Sequence, residues 1–413
     1  MPKHYDVIVV GGGAAGMLCA GFAASRGLST VIVERNARPA RKVMITGKGR
    51  CNVTNNCDND TFIRMVKRNG RFLYSAINAF STADTMDFFE KLGVPLKTER
   101  GNRVFPVSDK AVDIVDALSA FIKKNGVTML QGRCTDLVIQ DDALRGVLLE
   151  DGSVVTASSV VVATGGKSYP LTGSTGDGYK LAEQAGHTII EPHASLVPMI
   201  VAGRECPAMM GLSLKNVTLS LIDKKKKKPV FEELGEMLFT HFGVSGPLVL
   251  SASAHVDHKR FGDYTLSIDM KPALSEQQLD ARLLRDFEQN LNKDLINALG
   301  ALLPSKMIPV MIARSGIPPQ TKVNQITKEQ RHALIEAIKH FTLKPVAFSP
   351  IEEAIVTSGG VKVSEVNPGT MESKLLPGLY FAGEVLDVDA YTGGFNLQIA
   401  FSTGYLAAQN IQS

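Results

Sequence analysis

Three glycines at a fixed spacing stand near the start of the chain and could hold a phosphate group. Gly11, Gly13 and Gly16 form the pattern Gly-x-Gly-x-x-Gly after an apolar run of strand length at residues 5–10, and an Ala-rich helical stretch follows to Ser25. The first glycine permits a tight turn, the second lets a pyrophosphate approach the backbone, and the third lets the helix pack on the strand. Free N–H groups at the helix N-terminus attract the phosphates. The pattern therefore predicts a dinucleotide site.

An acidic side chain follows at the distance that such a site requires. Residues 28–33 have the composition of a second strand, which ends at Glu34, 18 residues after Gly16. A carboxylate at this place is expected to accept hydrogen bonds from ribose hydroxyls. The alternative is a Gly-rich turn of an ordinary α/β protein beside a surface glutamate. We favour an adenine dinucleotide, because strand, glycines, helix and acid occur together.

The C-terminal segment distinguishes between a nicotinamide and a flavin cofactor. Residues 379–382 form a strand-like run before Glu384, and the Gly-rich stretch 391–396 leads into a helical run at 397–409. A flavin needs an acceptor for its ribityl hydroxyls, which Glu384 can supply. It also needs a dipole near N1 and the C2 carbonyl, which the helix starting at Asn396 can supply. A nicotinamide cofactor needs neither so far from the glycines, so these features predict FAD.

The composition is that of an ordinary globular protein. The 413 residues, 44% of them hydrophobic, suffice for two or three domains with separate cores. The net charge of +4 does not by itself require a nucleic-acid or membrane partner. No apolar stretch is long enough to span a bilayer, and the early first strand leaves no room for a signal peptide. We expect a small-molecule substrate, and neither a membrane nor a nucleic-acid partner is favoured.

The five cysteines are scattered and form no Cys-x-x-Cys pair. This pattern predicts reduced thiols in a cytoplasmic protein rather than a dithiol relay, although Cys51 and Cys57 could form a redox pair. No group of His, Cys and carboxylate residues has the spacing of metal ligands, so no metal site is predicted.

The order of the elements predicts an α/β fold with a discontinuous, Rossmann-like FAD-binding domain. Strand-like and helical segments alternate over 1–192, and the Gly-rich α/β character returns over 357–413. Short alternating runs predict an inserted β-rich domain at 193–271 and 341–356. Helical periodicity predicts a helical subdomain at 272–340, with Ser275 as the N-cap of its first helix. Within the first region, Asp151-Gly152 lies between strand-like runs at 146–149 and 154–156 and predicts a hairpin, and a separate buried-strand run follows at 160–163.

A run of five lysines, Lys224–Lys228, lies between two strand-like segments of the insertion. Such a run is usually the solvated tip of a hairpin. The alternative is a contact with RNA or another acidic partner, which keeps a flavin-dependent RNA-modifying enzyme among the hypotheses.

Four longer stretches, Val10–Gly16, Arg41–Asn55, Phe239–Pro247 and Phe381–Gly404, resemble bacterial flavoproteins of the YhiN and BaiN type. That family consists of NAD(P)/FAD-dependent oxidoreductases. The resemblance implies a glutathione-reductase-like FAD domain, an inserted β-barrel and a helical subdomain. It also implies that residues 47–52 wrap the flavin and the pyrophosphate.

Motifs and resemblance together predict a set of cofactor-binding residues, in which the glycines free the backbone and the basic side chains offer charge to phosphates or to reduced flavin. These residues are Gly11, Gly13, Ala15, Gly16, Glu34, Arg35, Lys42, Thr46, Gly47, Gly49, Arg50, Cys51, Asn52, Ala163, Thr164, Gly165, Gly383, Glu384, Gly394, Asn396 and Leu397.

Two side chains are candidates for the acid or base of catalysis. His241 lies in the third of the four stretches and titrates near neutrality, although a purely structural histidine is an equal alternative. Tyr391 stands beside the glycines that are predicted to hold the flavin. No second Gly-x-Gly-x-x-Gly follows a strand, so NADH or NADPH would dock transiently, or another reductant would serve.

Three functions remain open at this point. The first is an FAD-dependent oxidoreductase that transfers a hydride between flavin and a small organic substrate. The motif Thr175–Gly178, before a helical run at 179–185, resembles one of the fumarate-reductase-type flavoproteins, and this analogy favours reduction of an activated C=C bond. The second is the RNA-modifying enzyme, and the third is a non-catalytic flavoprotein that senses redox state.

Overall fold

The computed structural model describes residues 4–226, 228–257 and 259–412. They form two compact units, one of residues up to Ser195 together with those from Pro350 onward, and one spanning Leu196–Ser349. The sequence placed these boundaries at 192/193 and 356/357, a few residues away. The helices of region 272–340 belong to the same compact unit as the inserted strands.

The first unit contains fourteen strands and eight α-helices among the residues described. The strands are β1 (His4–Val10), β2 (Thr30–Glu34), β3 (Thr54–Asn55), β4 (Val66–Arg68), β5 (Leu96–Glu99), β6 (Arg103–Pro106), β7 (Thr128–Gln131), β8 (Cys134–Gln140), β9 (Ala143–Leu149), β10 (Val154–Val162), β11 (Ile189–Ser195), β19 (Val356–Val361), β20 (Leu379–Phe381) and β21 (Asp389–Ala390). The helices are α1 (Ala14–Ser25), α2 (Arg41–Ile45), α3 (Asn59–Met65), α4 (Tyr74–Ala79), α5 (Thr82–Lys91), α6 (Ala111–Lys124), α7 (Asp177–Gln184) and α14 (Phe395–Asn410).

The main sheet of this unit is built on parallel strands in the order β7-β2-β1-β10-β20. Val7, Ile8 and Val9 of β1 are fully buried, as expected for a strand covered on both faces. Helix α1 packs on β1 and β2 of the sheet and against both α6 and α14. The predicted Rossmann-like fold is confirmed.

Strand β10 serves two parts of the sheet. Its first residues pair antiparallel with β9 across the turn at Asp151–Gly152, which confirms the predicted hairpin. Its last residues, Val160–Val162, run parallel to β1 and β20. The two runs that the sequence presented separately are therefore one continuous strand.

The second unit is built on antiparallel strands and helices. Its strands are β12 (Met199–Val201), β13 (Ser213–Asp223), β14 (Phe231–Phe239), β15 (Gly243–Ser245), β16 (Tyr264–Asp269), β17 (Phe341–Leu343) and β18 (Pro345–Phe348). Its helices are α8 (Glu205–Ala208), α9 (Pro247–Ser253), α10 (Glu276–Glu288), α11 (Leu295–Ala298), α12 (Ile308–Ser315) and α13 (Lys328–Lys339).

The seven strands of this unit follow the order β17-β16-β13-β14-β15-β12-β18. Only Lys344 separates the two outermost strands in the chain, so the sheet closes on itself as a barrel. Helix α10 begins as predicted at Ser275, whose hydroxyl accepts a hydrogen bond from Gln278 N in a capping box. The lysine run lies in the turn of the β13–β14 hairpin, and its Lys227 is outside the described residues.

Among the residues described, no helix combines the length and the apolar character needed to cross a membrane.

Candidate cofactor site

Four segments that the sequence singled out meet at one edge of the parallel sheet. Because parallel strands end at the same edge, β1 delivers Gly11, β2 delivers Glu34, β10 delivers Thr164, and β20 delivers Gly383 and Glu384 to neighbouring places. Three strand spacings of about 4.8 Å separate the ends of β2 and β20, roughly 14 Å in all. We call this the carboxyl edge, and it suits an extended cofactor laid across the strands.

The Gly-rich turn is shaped for close backbone approach. A Cβ on Gly16 would lie 1.9 Å from the Gly11 carbonyl oxygen, so only glycine lets α1 pack on the turn. A Cβ on Gly13, in contrast, would meet no protein atom within 4 Å. Helix α1 is twelve residues long, begins with Ala14 and Ala15, and has no side-chain cap at its N-terminus. The uncapped N–H groups and open space fit a bound pyrophosphate.

Glu34 is held at the end of β2 by backbone donors. Its Oε2 accepts a hydrogen bond from Gly12 N at 2.7 Å, and its Oε1 accepts from Asn36 N and Nδ2 at 2.8 Å. The side chain is buried, and Oε2, which accepts one hydrogen bond, has a further lone pair for a ribose hydroxyl. This geometry suits the role that the sequence predicted.

Arg35, also a predicted cofactor residue, turns toward the start of α7. Its Nη1 donates to Thr175 Oγ1 at 2.7 Å and lies 3.5 Å from Asp177 Oδ2. Arg133 reaches the same carboxylate through two nitrogens. The Thr175–Gly178 motif is thereby fixed beside the end of β2.

A polar cluster surrounds Glu384 at the end of β20. Lys42 Nζ donates to Glu384 Oε2 at 2.6 Å and to Ser168 Oγ at 2.6 Å. Glu384 Oε1 accepts from Thr357 N at 2.8 Å and from Ser168 Oγ at 3.0 Å. Lys42 therefore compensates the charge of Glu384, a contact that the sequence analysis did not foresee. Ser168 and Thr357, which the sequence did not single out, are fully buried. Ser168 follows the Gly165–Gly166 turn, and Thr357 is the second residue of β19.

Residues 46–52 form a tight loop, as the resemblance implied. Gly47, Gly49 and Cys51 all adopt positive φ angles, while Thr46 Oγ1 donates to the Val43 carbonyl. The buried Oδ1 atom of Asn52 has no hydrogen-bond partner among the described residues. A ligand donor such as a flavin imide or ribityl hydroxyl would satisfy this acceptor.

Arg50 of the same loop points to a neighbouring hairpin. Its guanidinium pairs with Glu99 and Asp109 and lies over the ring of Phe105, 4.2 Å from the centroid. Its charge is thus compensated by protein carboxylates, and these hydrogen bonds raise the pKa of Arg50. The sequence predicted that this charge faces phosphates or reduced flavin, whereas in the fold it faces Glu99 and Asp109.

The N-terminus of α14 is anchored by buried polar contacts. A Cβ on Gly394 would lie 2.2 Å from the Thr54 carbonyl oxygen, and Gly394 leaves the helix without a side-chain cap. Asn396 donates to the Ala390 carbonyl at 2.8 Å and accepts from Ala390 N at 3.0 Å. Two residues further along, the fully buried Gln398 accepts from Thr54 Oγ1 at 2.6 Å. Helix α14 therefore presents a rigid, uncapped N-terminus.

The remaining predicted contacts lie on the same elements. Gly11 packs against Ala163, since a Cβ there would lie 2.6 Å from the Ala163 carbonyl oxygen. Gly165 turns the chain after β10 with a φ of 75°. Leu397 is half-buried in the first turn of α14.

The two acid–base candidates occupy different units. Tyr391 lies in the first unit, where its backbone N–H donates to the Met65 carbonyl at 3.1 Å. His241 lies in the second unit, exposed in the tight turn between β14 and β15. Thr240 stabilises that turn by accepting a hydrogen bond from Gly243 N. A catalytic role for either residue stays a prediction.

The structure adds a buried carboxyl that the sequence analysis did not single out. Asp389 accepts hydrogen bonds from Ser195 Oγ at 2.7 Å and from Ser358 Oγ at 2.9 Å. Burial raises the pKa of Asp389, while the two serine hydroxyls oppose that shift. Its only signal in the sequence was its place two residues before Tyr391.

The cysteines near the site have little thiolate character. Burial raises the pKa of the Cys51 thiol to about 12, and burial with nearby Asp58 raises that of Cys57 to about 11. Both thiols are therefore protonated at neutral pH and are poor nucleophiles.

Taken together, these residues fit FAD. An uncapped helix with an open glycine suits the pyrophosphate, Glu34 suits the ribose, and Asn52 with the N-terminus of α14 suits the polar edge of a flavin. The fold and site define a Rossmann-type dinucleotide-binding flavoprotein.

Comparison with known proteins agrees with this class. The family described as "HI0933-like protein Rossmann domain" matches residues 5–410. The chain is 31% identical to a ribosomal RNA dihydrouridine synthase of Escherichia coli, over 99% of this chain and 98% of that one. It is 30% identical to a 3-dehydro-bile acid delta(4,6)-reductase of Clostridium scindens, over 97% of each. The chain belongs to the HI0933-like Rossmann family, and it is an FAD-dependent oxidoreductase.

Solved structures show the same fold at low identity. The 3-ketosteroid delta1-dehydrogenase of Sterolibacterium denitrificans has a TM-score of 0.54 at 14% identity, covering 99% of both chains. The 3-ketosteroid-delta4-(5alpha)-dehydrogenase of Rhodococcus jostii RHA1 has a TM-score of 0.53 at 14% identity, covering 99% of this chain and 97% of that one.

Proposed function

We propose that the protein reduces a C=C bond conjugated to a carbonyl group. The observation that carries this proposal is the chemistry shared by two relatives with different substrates. Dihydrouridine is uridine with its C5=C6 bond saturated, and a delta(4,6)-reductase of a 3-dehydro steroid saturates double bonds conjugated to a ketone. Both relatives align with nearly the whole chain at almost equal identity, so what they share is more informative than where they differ.

The reaction adds two electrons and two hydrogens to the substrate. A hydride bonds to the carbon β to the carbonyl, the π pair shifts to the α carbon, and that carbon takes a proton. FAD, when bound, supplies the hydride, and we propose NADH or NADPH as the donor that restores it.

The chain's own residues contribute binding and electrostatics. The N-terminus of α14 favours the negative charge that reduction places near it. The Lys42–Glu384 pair keeps the end of β20 locally neutral. We keep Tyr391 as the candidate that delivers the proton, because it follows β21 directly, in the turn that leads into α14.

An anaerobic half-reaction tests the proposal. NADH or NADPH is added to the FAD-loaded protein until the flavin absorbance bleaches, and a candidate acceptor is then mixed in. A uridine-rich RNA and a 3-keto-Δ4,6-steroid represent the two relatives' substrates, and their saturated counterparts are the controls. We expect one unsaturated acceptor to restore the oxidised spectrum. Reoxidation no faster than with the saturated controls contradicts the proposal.

A further inference from the structure

Two basic segments border residues Asp387–Gly394, which contain β21 and the turn that leads into α14. We call this stretch the site loop. The first segment, Arg64–Arg71, contains four cationic and no acidic side chains. Within it, β4 pairs antiparallel with β21, and Asn69 Nδ2 donates to the Asp387 carbonyl at 2.6 Å. The segment is thus hydrogen-bonded along the site loop.

The second segment is the tip of the β5–β6 hairpin. Asn55 Nδ2 donates at 3.0 Å both to the Gly101 carbonyl at this tip and to the Gly393 carbonyl in the site loop. One side-chain amide therefore joins the hairpin tip to the site loop. Arg100 and Arg103 flank the tip, and both are exposed.

Most of these cations form no ion pair with a carboxylate. We call the six side chains Arg64, Lys67, Arg68, Arg71, Arg100 and Arg103 the basic rim. Arg68 pairs with Asp387 at 2.8 Å. Within the described parts of the chain, no carboxylate lies within ion-pair distance of Arg64, Arg71, Arg100 or Arg103. By contrast, Arg35, Arg50 and Arg133, at the carboxyl edge and its flanking hairpin, are all compensated by acids.

Uncompensated cations on both sides of one loop attract an extended anion better than a compact one. A small carboxylate is held by donors that converge on one point, whereas these arginines are spread over two separate segments. An exposed aromatic ring, Tyr74, stands one helical turn after Arg71 and is 45% exposed. Arginines interleaved with an exposed aromatic residue are typical of surfaces that hold single-stranded nucleic acid, where phosphates pair with the cations and bases stack on rings.

We propose that the basic rim binds the sugar–phosphate backbone of an RNA strand, whose uracil is thereby presented at the site loop. This inference rests on the proposed function, because uracil carries a C=C bond conjugated to a carbonyl. It places the RNA contact on the first unit, whereas the charge pattern of the sequence pointed to the lysine run of the second.

A charge-matched pair of variants tests the rim. In the rim variant, Arg64, Arg71, Arg100 and Arg103 are each replaced by glutamine. In the control variant, four exposed cations of the same unit that lie on α6, β9 and α7 are replaced by glutamine, so the loss of charge is equal. These control residues are Lys123, Lys124, Arg145 and Lys180. The probe is a labelled, uridine-rich RNA of about 16 nucleotides, the upper range of a single-strand binding site.

Fluorescence anisotropy on the FAD-loaded proteins then gives affinity at several salt concentrations. We expect the rim variant to bind RNA at least about tenfold more weakly than the wild type. The slope of log K plotted against the logarithm of the salt concentration should fall in magnitude by about 2–3, at roughly 0.7 per phosphate contact. The control variant should keep the wild-type slope. FAD content and melting temperature show that both variants are folded.

Two results would overturn the rim assignment. The rim variant could bind RNA like the wild type, or the control variant could lose as much affinity as the rim variant. Because the assay measures binding alone, it is independent of turnover. If RNA binds through the rim but no unsaturated acceptor reoxidises the flavin, the proposed function fails and the surface stands. If a steroid enone is reduced while RNA does not bind, the proposed function stands and the RNA-binding surface fails.

Discussion

Substitution of Gly13 by alanine should separate cofactor binding from folding. The backbone at Gly13 is extended, with φ −84° and ψ −169°, which an alanine adopts without strain. A Cβ at this position meets no protein atom within 4 Å. The new methyl group therefore enters only the space where the pyrophosphate is expected, between the ligand and the uncapped N-terminus of α1.

The expected effects on FAD affinity and on the free energy of unfolding differ in size. Loss of the charge-assisted hydrogen bonds at one phosphate costs about 1.5–3 kcal/mol, which weakens the Kd for FAD by about 10- to 150-fold. In the apoprotein, alanine lowers the entropy of the unfolded chain but is a poorer N-cap than glycine. These effects oppose each other, so the free energy of unfolding should change by less than about 1 kcal/mol.

Titration of apoprotein with FAD, followed by flavin fluorescence, gives the Kd, and chemical denaturation of the apoprotein gives its stability. Gly16→Ala is the matched comparison, because its Cβ would lie 1.9 Å from the Gly11 carbonyl oxygen and must displace α1. That variant should lose both stability and FAD affinity. Wild-type FAD affinity in Gly13→Ala would refute the placement of the pyrophosphate at α1.

Three further predictions follow from the buried polar contacts. Lys42→Met leaves the Glu384 carboxylate uncompensated, so the flavin midpoint potential should fall by on the order of 30 mV. That shift corresponds to a tenfold change in favour of binding oxidised over reduced flavin. An unchanged potential in spectroelectrochemical titration would contradict an electrostatic role for the Lys42–Glu384 pair. Gln398→Leu removes the acceptor of a buried hydroxyl and should lower the free energy of unfolding by about 1–3 kcal/mol, whereas Gln409→Leu, exposed on the same helix, should have little effect in denaturant titration. Burial lowers the pKa of His187 below its ordinary 6.5, so the unfolded chain binds this proton more readily than the folded chain. The free energy of unfolding should therefore fall as the pH drops below about 6.5, and above that pH it should not depend on this residue. His187→Gln should flatten the dependence of melting temperature on pH.

The fold could be predicted from the sequence where the signals are local. The strand, glycines and helix at residues 5–25 lie within two dozen positions, so their physical reasons can be read directly. The hairpin at Asp151–Gly152 and the N-cap at Ser275 depend only on near neighbours and are confirmed. The family resemblance extended this to the inserted barrel, since long motifs carry tertiary information that single residues do not.

The arrangement around the flavin end could not be predicted in the same way. Lys42 and Glu384 are 342 residues apart and meet only because α2 and the end of β20 reach the same edge of the sheet. Asn55 joins Gly101 to Gly393 for a similar reason. The sequence assigned Lys42 and Arg50 to phosphates or reduced flavin, because composition reveals a charge but not its partner.

By itself, then, the amino-acid sequence indicated the dinucleotide fingerprint and the flavin, because these signals lie in short continuous segments of the chain. The class of enzyme came from the family resemblance that four longer stretches carry. Tertiary structure decided which charges are compensated and which remain free to attract a ligand. Ion pairing depends on distances of a few ångströms between segments far apart in the chain, and only the folded sheet brings those segments together.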